Sequence, residues 1–296
     1  MSTELYPQTL AVLEFRVISY ASQSITGLWR VLTPRYAWIT SLVATVVLLL
    51  YVASLFLDFG KQTQEVRVRV EAEEVLLPLP RKITLISVEE AMLYRRSIRD
   101  YLATPVAIEH LSMILWAAQG ISETKWGLRT APSAGATYPL EVYIVIGANG
   151  VVLEDGVYLE AGVYKYDVRK HSMKLVAEGD RRLELAKAAL SQEWVEKAPV
   201  VIVICAVYER TTARYGERGY RYVYIEVGHA AQNIYLMATA LGLGTVAVGA
   251  FYDDEVARVI SVEEKEKPLY IMPIGVPRQP YVTSFEEISN YYLARR

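Results

Sequence analysis

The 296-residue sequence contains only one cysteine and three histidines, and this scarcity excludes several kinds of site. A lone thiol, Cys205, forms neither an intrachain disulfide nor a cysteine-rich metal cluster. The three histidines (His110, His171 and His229) lack the paired spacing of metal ligands. The sequence therefore predicts no disulfide framework and no metal site.

The usual signatures of nucleotide and nucleic-acid binding are also missing. There is no G-x-x-x-x-G-K-S/T loop and no G-x-G-x-x-G pattern after a predicted strand, so neither a nucleoside triphosphate nor a Rossmann dinucleotide is indicated. The 31 basic and 33 acidic residues leave a net charge of −2, whereas general nucleic-acid binders are basic. No nucleic-acid partner is predicted.

Residues 37–57 form an apolar run without any charge, which begins after Arg35 and ends before Asp58. As a helix this run would be about 31 Å long, close to the roughly 30 Å hydrocarbon core of a bilayer. It predicts one transmembrane helix at residues 37–58, with a buried core helix as the alternative. The preceding residues 1–36 mix charged and apolar side chains and are expected to form an amphipathic segment at the membrane.

Two helices are predicted after an alternating, extended stretch. Ser87 and Glu90 make an S-x-x-E capping box, so a helix is expected to begin near Val88 and to include residues 95–99. A second helix is predicted at residues 108–119, because an apolar-rich run there ends at a glycine.

A cluster of basic residues lies at the end of the first of these helices. On a helix, Arg95 and Arg99 are one turn apart and Arg96 is three residues from Arg99, so their charge converges on one spot. Guanidinium groups bind phosphate oxygens two at a time, and the Ser97 hydroxyl adds one donor. The residues alone leave a second interpretation open, a solvated basic helix end.

Small residues dominate three further segments. Residues 131–139 form a loop whose small side chains let the backbone approach a flat ligand closely, and a strand follows it. Residues 247–250 end another predicted strand with a glycine, and residues 275–278 read G-V-P-R. Together with the basic cluster, these segments fit a phosphorylated planar cofactor, with charge for the phosphate and small backbone surfaces for the ring.

The remaining elements predict an α+β fold. A continuous β-branched run at residues 200–207 indicates a buried strand. Residues 220–241 indicate a long helix, whose Glu226 is interpreted as a structural residue, and further strands are expected at residues 245–250 and 269–276. Because strands alternate with helices and hairpin-like pieces, we expect a mixed, largely antiparallel sheet surrounded by helices.

Residues from about 86 to 278 resemble the nitroreductase-like FMN oxidoreductases of the SagB/thiazole-oxidase type. Six motifs, in order and at family-like spacing, carry the resemblance. They are RRSIRDY at 95–101, LWAAQGI at 115–121, APSAGATYPLEVYIV at 131–145, WVEKAPVVIVI at 194–204, YGERGYRYVYIEVGHAAQNIYLMATALGLGTVAVGAF at 215–251 and PLYIMPIGVPR at 268–278.

The resemblance implies a homodimer with FMN as cofactor and with NAD(P)H or an organic small molecule as hydride donor. In such proteins an R-R-S-x-R turn binds the phosphate, a P-S-A-G loop from the partner subunit lies against the ring, and a strand end offers backbone donors. The matching cofactor-binding positions are Arg95, Arg96, Ser97, Arg99, Pro132, Ser133, Ala134, Gly135, Val248, Gly249, Ala250 and, at the terminal motif, Arg278.

The sequence departs from the family pattern on the substrate side. Ala136 and Tyr138 stand where nitroreductases proper have Asn and Gln, and the catalytic Lys-Tyr pair of the azoline-oxidising branch is best matched by Arg214 and Tyr215. Tyr138, Arg214 and Tyr215 are therefore the catalytic candidates. The predicted function is a membrane-anchored FMN oxidoreductase; the alternatives are a redox-inactive relative that binds flavin or a membrane partner, and a peptide azoline dehydrogenase.

The predicted organisation follows the chain. It comprises an amphipathic segment (1–36), a transmembrane helix (37–58), a linker (59–85), an FMN domain (86–282) and a C-terminal tail (283–296). The expected location is the cell membrane, single-pass, with the flavin domain on the cytoplasmic side, where FMN and NAD(P)H are available.

Overall fold

The structure is a computed structural model of the chain, and it describes residues 45–47, 70–71, 74–153 and 156–296. Contacts between Cα atoms divide the chain into two units, Met1–Glu65 and Val66–Arg296. Of the first unit, residues 45–47 are helical, and the predicted amphipathic segment 1–36 lies outside the described residues. The elements and sites below belong to the second unit.

The prediction of a single-pass location in the cell membrane is corrected by the described helices. A bilayer crossing requires about 20 consecutive apolar residues. None of the described helices combines that length with that apolar character, and the longest, Arg218–Ala240, carries Arg221 and Glu226. Apart from residues 45–47, the predicted span at 37–58 lies outside the described residues.

An eight-stranded sheet forms the centre of the second unit. The described strands are β1 (Val70–Glu71), β2 (Glu74–Leu76), β3 (Val106–Ala107), β4 (Ile121–Glu123), β5 (Leu128–Arg129), β6 (Leu140–Ile146), β7 (Val151–Val152), β8 (Gly162–Asp167), β9 (Ser172–Glu178), β10 (Val200–Ala206), β11 (Gly244–Thr245) and β12 (Lys267–Gly275). The strand order of the large sheet is β1-β2-β9-β8-β6-β10-β12-β11, and all of its neighbouring strands are antiparallel. Outside it, β3 pairs with β7 in parallel and β4 with β5 in antiparallel fashion. This confirms the predicted α+β class with a largely antiparallel sheet.

Helices cover both faces of the sheet. The described α-helices of this unit are α1 (Val88–Tyr94), α2 (Ile108–Gln119), α3 (Arg182–Ala188), α4 (Glu193–Lys197), α5 (Glu209–Tyr215), α6 (Arg218–Ala240), α7 (Asp253–Val259) and α8 (Phe285–Leu293). Side chains of α2 and α6 belong to the core on one face, and those of α3, α4 and α7 to the core on the other. The two helices predicted at residues 108–119 and 220–241 therefore cover the same face of the sheet.

The central strand β10 explains the continuous apolar run in the sequence. Every residue of β10 is buried, and the strand lies between β6 and β12. Ile202 and Ile204 face the core beneath α2 and α6, whereas Val201 and Val203 face the other core. A strand with both faces covered needs apolar residues at every position, so it shows no polar alternation.

Two segments outside the predicted FMN domain are structured. β2, within the predicted linker 59–85, pairs with β9, and the predicted tail 283–296 contains α8. Ser284 and Glu287 form a capping box at the start of α8, and no residue of α8 is buried in the single chain. The domain limits at residues 86 and 282 remain a prediction.

The predicted helical course of the basic cluster is wrong. The capping box is confirmed, since the Glu90 N–H donates to Ser87 Oγ (3.2 Å) and the Ser87 N–H to Glu90 Oε2 (2.8 Å). However, α1 ends at Tyr94, and Arg95 leaves the helix with φ −56° and ψ 122°. The Ile98 N–H donates to the carbonyl of Thr245 (2.9 Å). Because this bond is made to a strand, the residues after Arg95 are extended and do not continue the helix. The arginines are therefore not one helical turn apart.

The glycine before Thr245 tests this packing. A Cβ added at Gly244 would lie 2.8 Å from Ile98 Cβ, so we expect Gly244→Ala to lower the free energy of unfolding by about 1–3 kcal/mol. Urea unfolding followed by circular dichroism measures the change. The matched control is Gly228→Ala on α6, where an added Cβ meets nothing within 4 Å and helix propensity favours alanine by up to about 1 kcal/mol. An unchanged unfolding midpoint for Gly244→Ala would contradict the packing of Ile98 on β11.

Candidate cofactor site

The basic cluster lies on an extended stretch that we call the grip segment (residues 95–101). On one side Ser97 bridges to Thr245 in parallel register, and on the other Tyr101 bridges to Pro277. The Leu102 N–H, directly after the segment, donates to the carbonyl of Val276 (2.8 Å). Arg95 and Ser97 both contact Tyr235 of α6, whereas Arg99 contacts Trp194 of α4, on the other face of the sheet.

Arg95 and Arg99 lie over aromatic rings. The Arg95 guanidinium lies 5.2 Å from the centre of the Tyr235 ring, and that of Arg99 lies 5.5 Å from the Trp194 ring. Among the described residues, neither guanidinium forms an ion pair with a carboxylate. Two such cations beside the exposed Ser97 hydroxyl are a donor set that suits a phosphate.

Arg96 points elsewhere. Its Nη1 donates to the carbonyls of Leu93 (3.1 Å) and Arg95 (2.7 Å), and its guanidinium lies 3.7 Å from the centre of the Tyr281 ring. These contacts satisfy the last carbonyls of α1. The structure therefore separates Arg96 from the side of the grip segment that Arg95 and Ser97 share.

Arg278 lies at the far end of the grip segment. Its Nε is 3.1 Å from Asp100 Oδ2, and its Nη2 donates to the carbonyl of Tyr101 (3.2 Å). Both side chains are more than half exposed (54% and 66%), so water screens this ion pair. Arg278 is thus near the segment, but its charge is shared with Asp100.

The strand end at residues 248–250 lies beside the grip segment. Val248 exchanges two backbone hydrogen bonds with Ile271, at 2.8 and 3.0 Å. Gly249 and Ala250 are exposed, and among the described residues their N–H groups have no backbone partner. Because unpaired N–H groups seek acceptors, this end is suited to the polar edge of a planar ring.

The small-residue loop has an unusual backbone that its side chains stabilise. Residues 134–136 form a 3₁₀ turn in which Gly135 has φ 60°, and Ala136 and Tyr138 also have positive φ. The Tyr138 N–H donates to Ser133 Oγ (2.9 Å) and closes the turn. Pro132, at the start of the loop, is exposed. A left-handed alanine and tyrosine are strained, and such strain often marks ligand-binding loops.

Helix α5 fixes this loop from the outside. Arg214 Nη1 donates to the carbonyl of Gly135 (3.2 Å), and Arg210 Nη1 to that of Tyr138 (3.1 Å). The hydroxyls of Thr137 and Thr211 are 2.8 Å apart. Arg214 is therefore engaged with the loop backbone, which argues against a role in proton transfer.

The two tyrosine candidates differ in their environment. The Tyr138 hydroxyl accepts a hydrogen bond from the Arg129 N–H (3.2 Å), and the Arg129 guanidinium lies 4.4 Å from the centre of its ring. Tyr215 packs edge-on against Tyr222, and a Cβ added at Gly135 would lie 2.5 Å from the Tyr215 hydroxyl. That hydroxyl has no hydrogen-bond partner among the described residues. Of the two, Tyr215 is the better placed for chemistry.

The contacts thus bring the predicted residues into two groups. Arg95, Ser97 and the strand end 247–250 meet at Tyr235, whereas the loop 132–135 meets Arg214 and Tyr215. The contact of the loop with a flavin held by the partner subunit remains a prediction.

The sequence predicts a structural role for Glu226, and the structure shows the surroundings of its carboxyl group. It lies on α6 with 2% of its surface exposed, and its Oε1 has no hydrogen-bond partner among the described residues. Burial raises the pKa of this carboxyl to about 7, although the Ser133 hydroxyl and the Arg129 charge lower it in part. The sequence signal was a glutamate within the buried stripe of a long helix, beside Val227.

Comparison with known proteins identifies the family. The model of the Nitroreductase family matches residues 92–276. The chain belongs to the nitroreductase family. This confirms the resemblance and the coarse expectation of an oxidoreductase fold and chemistry.

Relatives fall into two groups. The chain is 48% identical over 202 residues to "Putative nitroreductase MJ1384" of Methanocaldococcus jannaschii, which covers 68% of this chain and 96% of that protein. It is 28% identical over 150 residues to the microcin B17-processing protein McbC of Escherichia coli, covering 50% of this chain and 54% of that protein. It is 26% identical over 205 residues to the trifolitoxin operon protein TfxC of Rhizobium leguminosarum, covering 66% and 57%.

Solved structures agree on the fold. A crystal structure described as a putative nitroreductase from Ralstonia eutropha superposes with a TM-score of 0.60 at 26% identity, covering 72% of this chain and 94% of that one. The E. coli microcin synthetase McbBCD complex, with truncated pro-MccB17 bound, contains a chain that superposes with a TM-score of 0.53 at 23% identity and covers 75% and 87%. At that identity the second match supports the fold alone.

The raised pKa of Glu226 predicts how stability changes with pH. In the unfolded chain the carboxyl ionises near its usual 4.5, but in the folded chain only near 7. Below pH 4.5 the carboxyl is protonated in both states, so its burial does not oppose folding. As the pH rises from 4.5 through 7, the unfolded state loses the proton more readily, and the free energy of unfolding falls. We expect Glu226→Gln to be about 3 kcal/mol more stable than the wild type at pH 8.5 and similar to it at pH 4.5.

Urea unfolding at the two pH values measures this difference. Glu160→Gln, at an exposed position, is the matched control and should follow the wild type. If Glu226→Gln loses stability between pH 4.5 and 8.5 as steeply as the wild type, Glu226 is not the group responsible.

Proposed function

We propose that the protein is an FMN-dependent oxidoreductase that passes a hydride between NAD(P)H or an organic small molecule and an acceptor. The observation that carries the proposal is the pairing of the grip segment with β11. It sets Arg95 and Arg99, which form no ion pair with a carboxylate of the described chain, near a strand end whose N–H groups have no backbone partner there. Family membership supplies the chemical class, and this geometry supports the cofactor.

The phosphate would be bound by the Arg95 and Arg99 guanidinium groups and by the Ser97 hydroxyl. Charge-assisted hydrogen bonds from guanidinium groups are short and roughly twice as strong as neutral ones. Arg278 is close enough to the segment to contribute only if it gives up part of its pairing with Asp100. Arg96 instead stabilises the end of α1.

The ring would lie against the strand end, where Gly249 and Ala250 offer N–H groups and little side-chain bulk. Bound FMN would supply hydride transfer at its N5 atom, which no side chain of the protein replaces. The chain's own part is to orient the ring, to stabilise negative charge at its polar edge and to exclude water. Val248 holds the strand end in position through its two backbone hydrogen bonds to Ile271.

The substrate side would be formed by the loop 132–135 and by Tyr215 of the partner subunit in a homodimer. In the single chain the exposed surface of α6 includes Tyr224, Ile225 and His229, which supports an interface along this helix. The Tyr215 hydroxyl would donate its proton, held on Oη, to the substrate. Arg214 would fix the loop through the Gly135 carbonyl.

A second candidate function is peptide azoline oxidation. Similarity to the microcin B17-processing protein McbC and to TfxC favours it. The Arg214–Tyr215 position weakens it, because arginine stays protonated and so does not act as a proton acceptor. A redox-inactive protein that only binds flavin is a further outcome of the tests below.

Removal of the two unpaired guanidiniums tests the cofactor. We expect Arg95→Ala with Arg99→Ala to weaken FMN binding at least about 100-fold, because each charge-assisted bond contributes about 1.5–3 kcal/mol. Quenching of FMN fluorescence on titration gives the dissociation constant. The control, Arg169→Ala with Arg181→Ala, removes the same charge at two other exposed positions and should bind FMN like the wild type. Wild-type FMN affinity in the Arg95→Ala, Arg99→Ala variant would show that the phosphate binds elsewhere.

Replacement of Tyr215 tests the substrate side. Tyr215→Phe is expected to lower kcat for NAD(P)H-driven reduction of an acceptor by a factor of about 10–100, while the FMN dissociation constant stays the same, since general acid–base catalysis is of this order or larger. Stopped-flow absorbance at the flavin band separates reduction from reoxidation. Tyr220→Phe, at an exposed position on α6, is the control. An unchanged kcat would remove Tyr215 from the catalytic candidates.

A further inference from the structure

One phenol hydroxyl connects the two parts of the cofactor-binding half. Tyr235, on α6, lies beneath the grip segment, and its Oη is 3.1 Å from Ser97 Oγ. The same Oη accepts a hydrogen bond from the Ala247 N–H (2.7 Å), at the start of the strand end. The Tyr235 ring also faces the Arg95 guanidinium at 5.2 Å. Three elements that are distant in sequence therefore meet at one side chain.

A backbone N–H only donates, so Tyr235 Oη is the acceptor for Ala247. Either hydroxyl can be the donor of the bond between Tyr235 and Ser97. When the phenol donates its one hydrogen to Ser97 Oγ, both hydroxyl hydrogens can be used, one within the protein and one by a ligand. The Ser97 hydrogen then remains free, and Ser97 is exposed. Tyr235 would thus turn the serine hydroxyl outward as a donor to an anion.

We propose that Tyr235 is a positioning residue that couples phosphate binding to the ring-facing strand end. The inference rests on the proposed FMN site. When an oxyanion accepts the Ser97 hydrogen, the serine oxygen becomes a better acceptor for the phenol hydrogen, because hydrogen bonds in a chain polarise one another. The phenol oxygen in turn binds the Ala247 N–H more strongly. Anion binding at the grip segment therefore orders residues 247–250.

Two ligands that differ only in the phosphate test this coupling. FMN and riboflavin carry the same ring, so the ratio of their dissociation constants reports what the phosphate adds. Ser97→Ala should weaken FMN about tenfold, the effect of one hydrogen bond to a charged group, and leave riboflavin unchanged. Tyr235→Phe keeps the ring beneath Arg95 but removes the hydroxyl. It should weaken FMN at least tenfold and riboflavin about threefold, because the Ala247 N–H also loses its partner.

The double variant distinguishes coupling from two independent effects. Because Ser97→Ala and Tyr235→Phe remove the same hydrogen bond, the loss of FMN affinity in the double variant should be clearly smaller than the product of the single losses. Losses that multiply would overturn the proposal, as would wild-type affinities for both ligands in Tyr235→Phe. Tyr158→Phe, at an exposed tyrosine outside α6, is the control for removal of a phenol hydroxyl.

A measurement on the wild-type protein needs no variant and covers the case in which Tyr235→Phe does not fold. Hydrogen–deuterium exchange is followed with and without inorganic phosphate. Phosphate should slow exchange of the Ala247 amide together with amides of the grip segment. Slowing confined to the grip segment would contradict the coupling. If the wild type binds neither FMN nor riboflavin, the proposed function fails, a result distinct from FMN binding that does not depend on Tyr235.

Discussion

The candidate site depends on one backbone pairing. The grip segment is bonded to β11 through Ile98 and Thr245 and to the residues after β12 through Leu102 and Val276. A segment bonded on both sides is held extended, and its side chains reach Tyr235 on one face of the sheet and Trp194 on the other. The same pairing sets the basic residues beside the strand end at 248–250. Charge for a phosphate and N–H groups for a ring edge therefore come from one local arrangement.

Charge compensation separates Arg95 and Arg99 from two other arginines of the described chain. Arg182 and Arg210 have carboxylate partners, Asp180 and Glu141, and their charge is largely neutralised within the protein. Arg95 and Arg99 face aromatic rings instead. A ring attracts a cation without cancelling its charge. The positive charge of Arg95 and Arg99 therefore remains available to an anion, and the neighbouring Ser97 hydroxyl adds a donor.

The sequence predicted most of the fold, and its errors have physical causes; the roles of the site residues remain predictions. Helix α2 and strand β10 are clear because periodicity and continuous apolar content are local signals. The course of residues 95–99 was wrong because long-range pairing with Thr245 outweighs helix propensity. Tyr235 was missed because a tyrosine on an amphipathic helix gives no sign of what its hydroxyl contacts. The membrane location was inferred from a hydropathy run, and the described helices do not support it.

The most direct test of the central claim is the uptake and reduction of FMN by the wild-type protein. The purified chain is titrated with FMN and, in parallel, with riboflavin, and the loaded protein is then reduced anaerobically with NADH and NADPH separately. The grip segment predicts that FMN binds much more tightly than riboflavin and that one of the reductants bleaches the flavin band. Equal affinity for both ligands, or no uptake of either, would contradict a phosphate site on the grip segment.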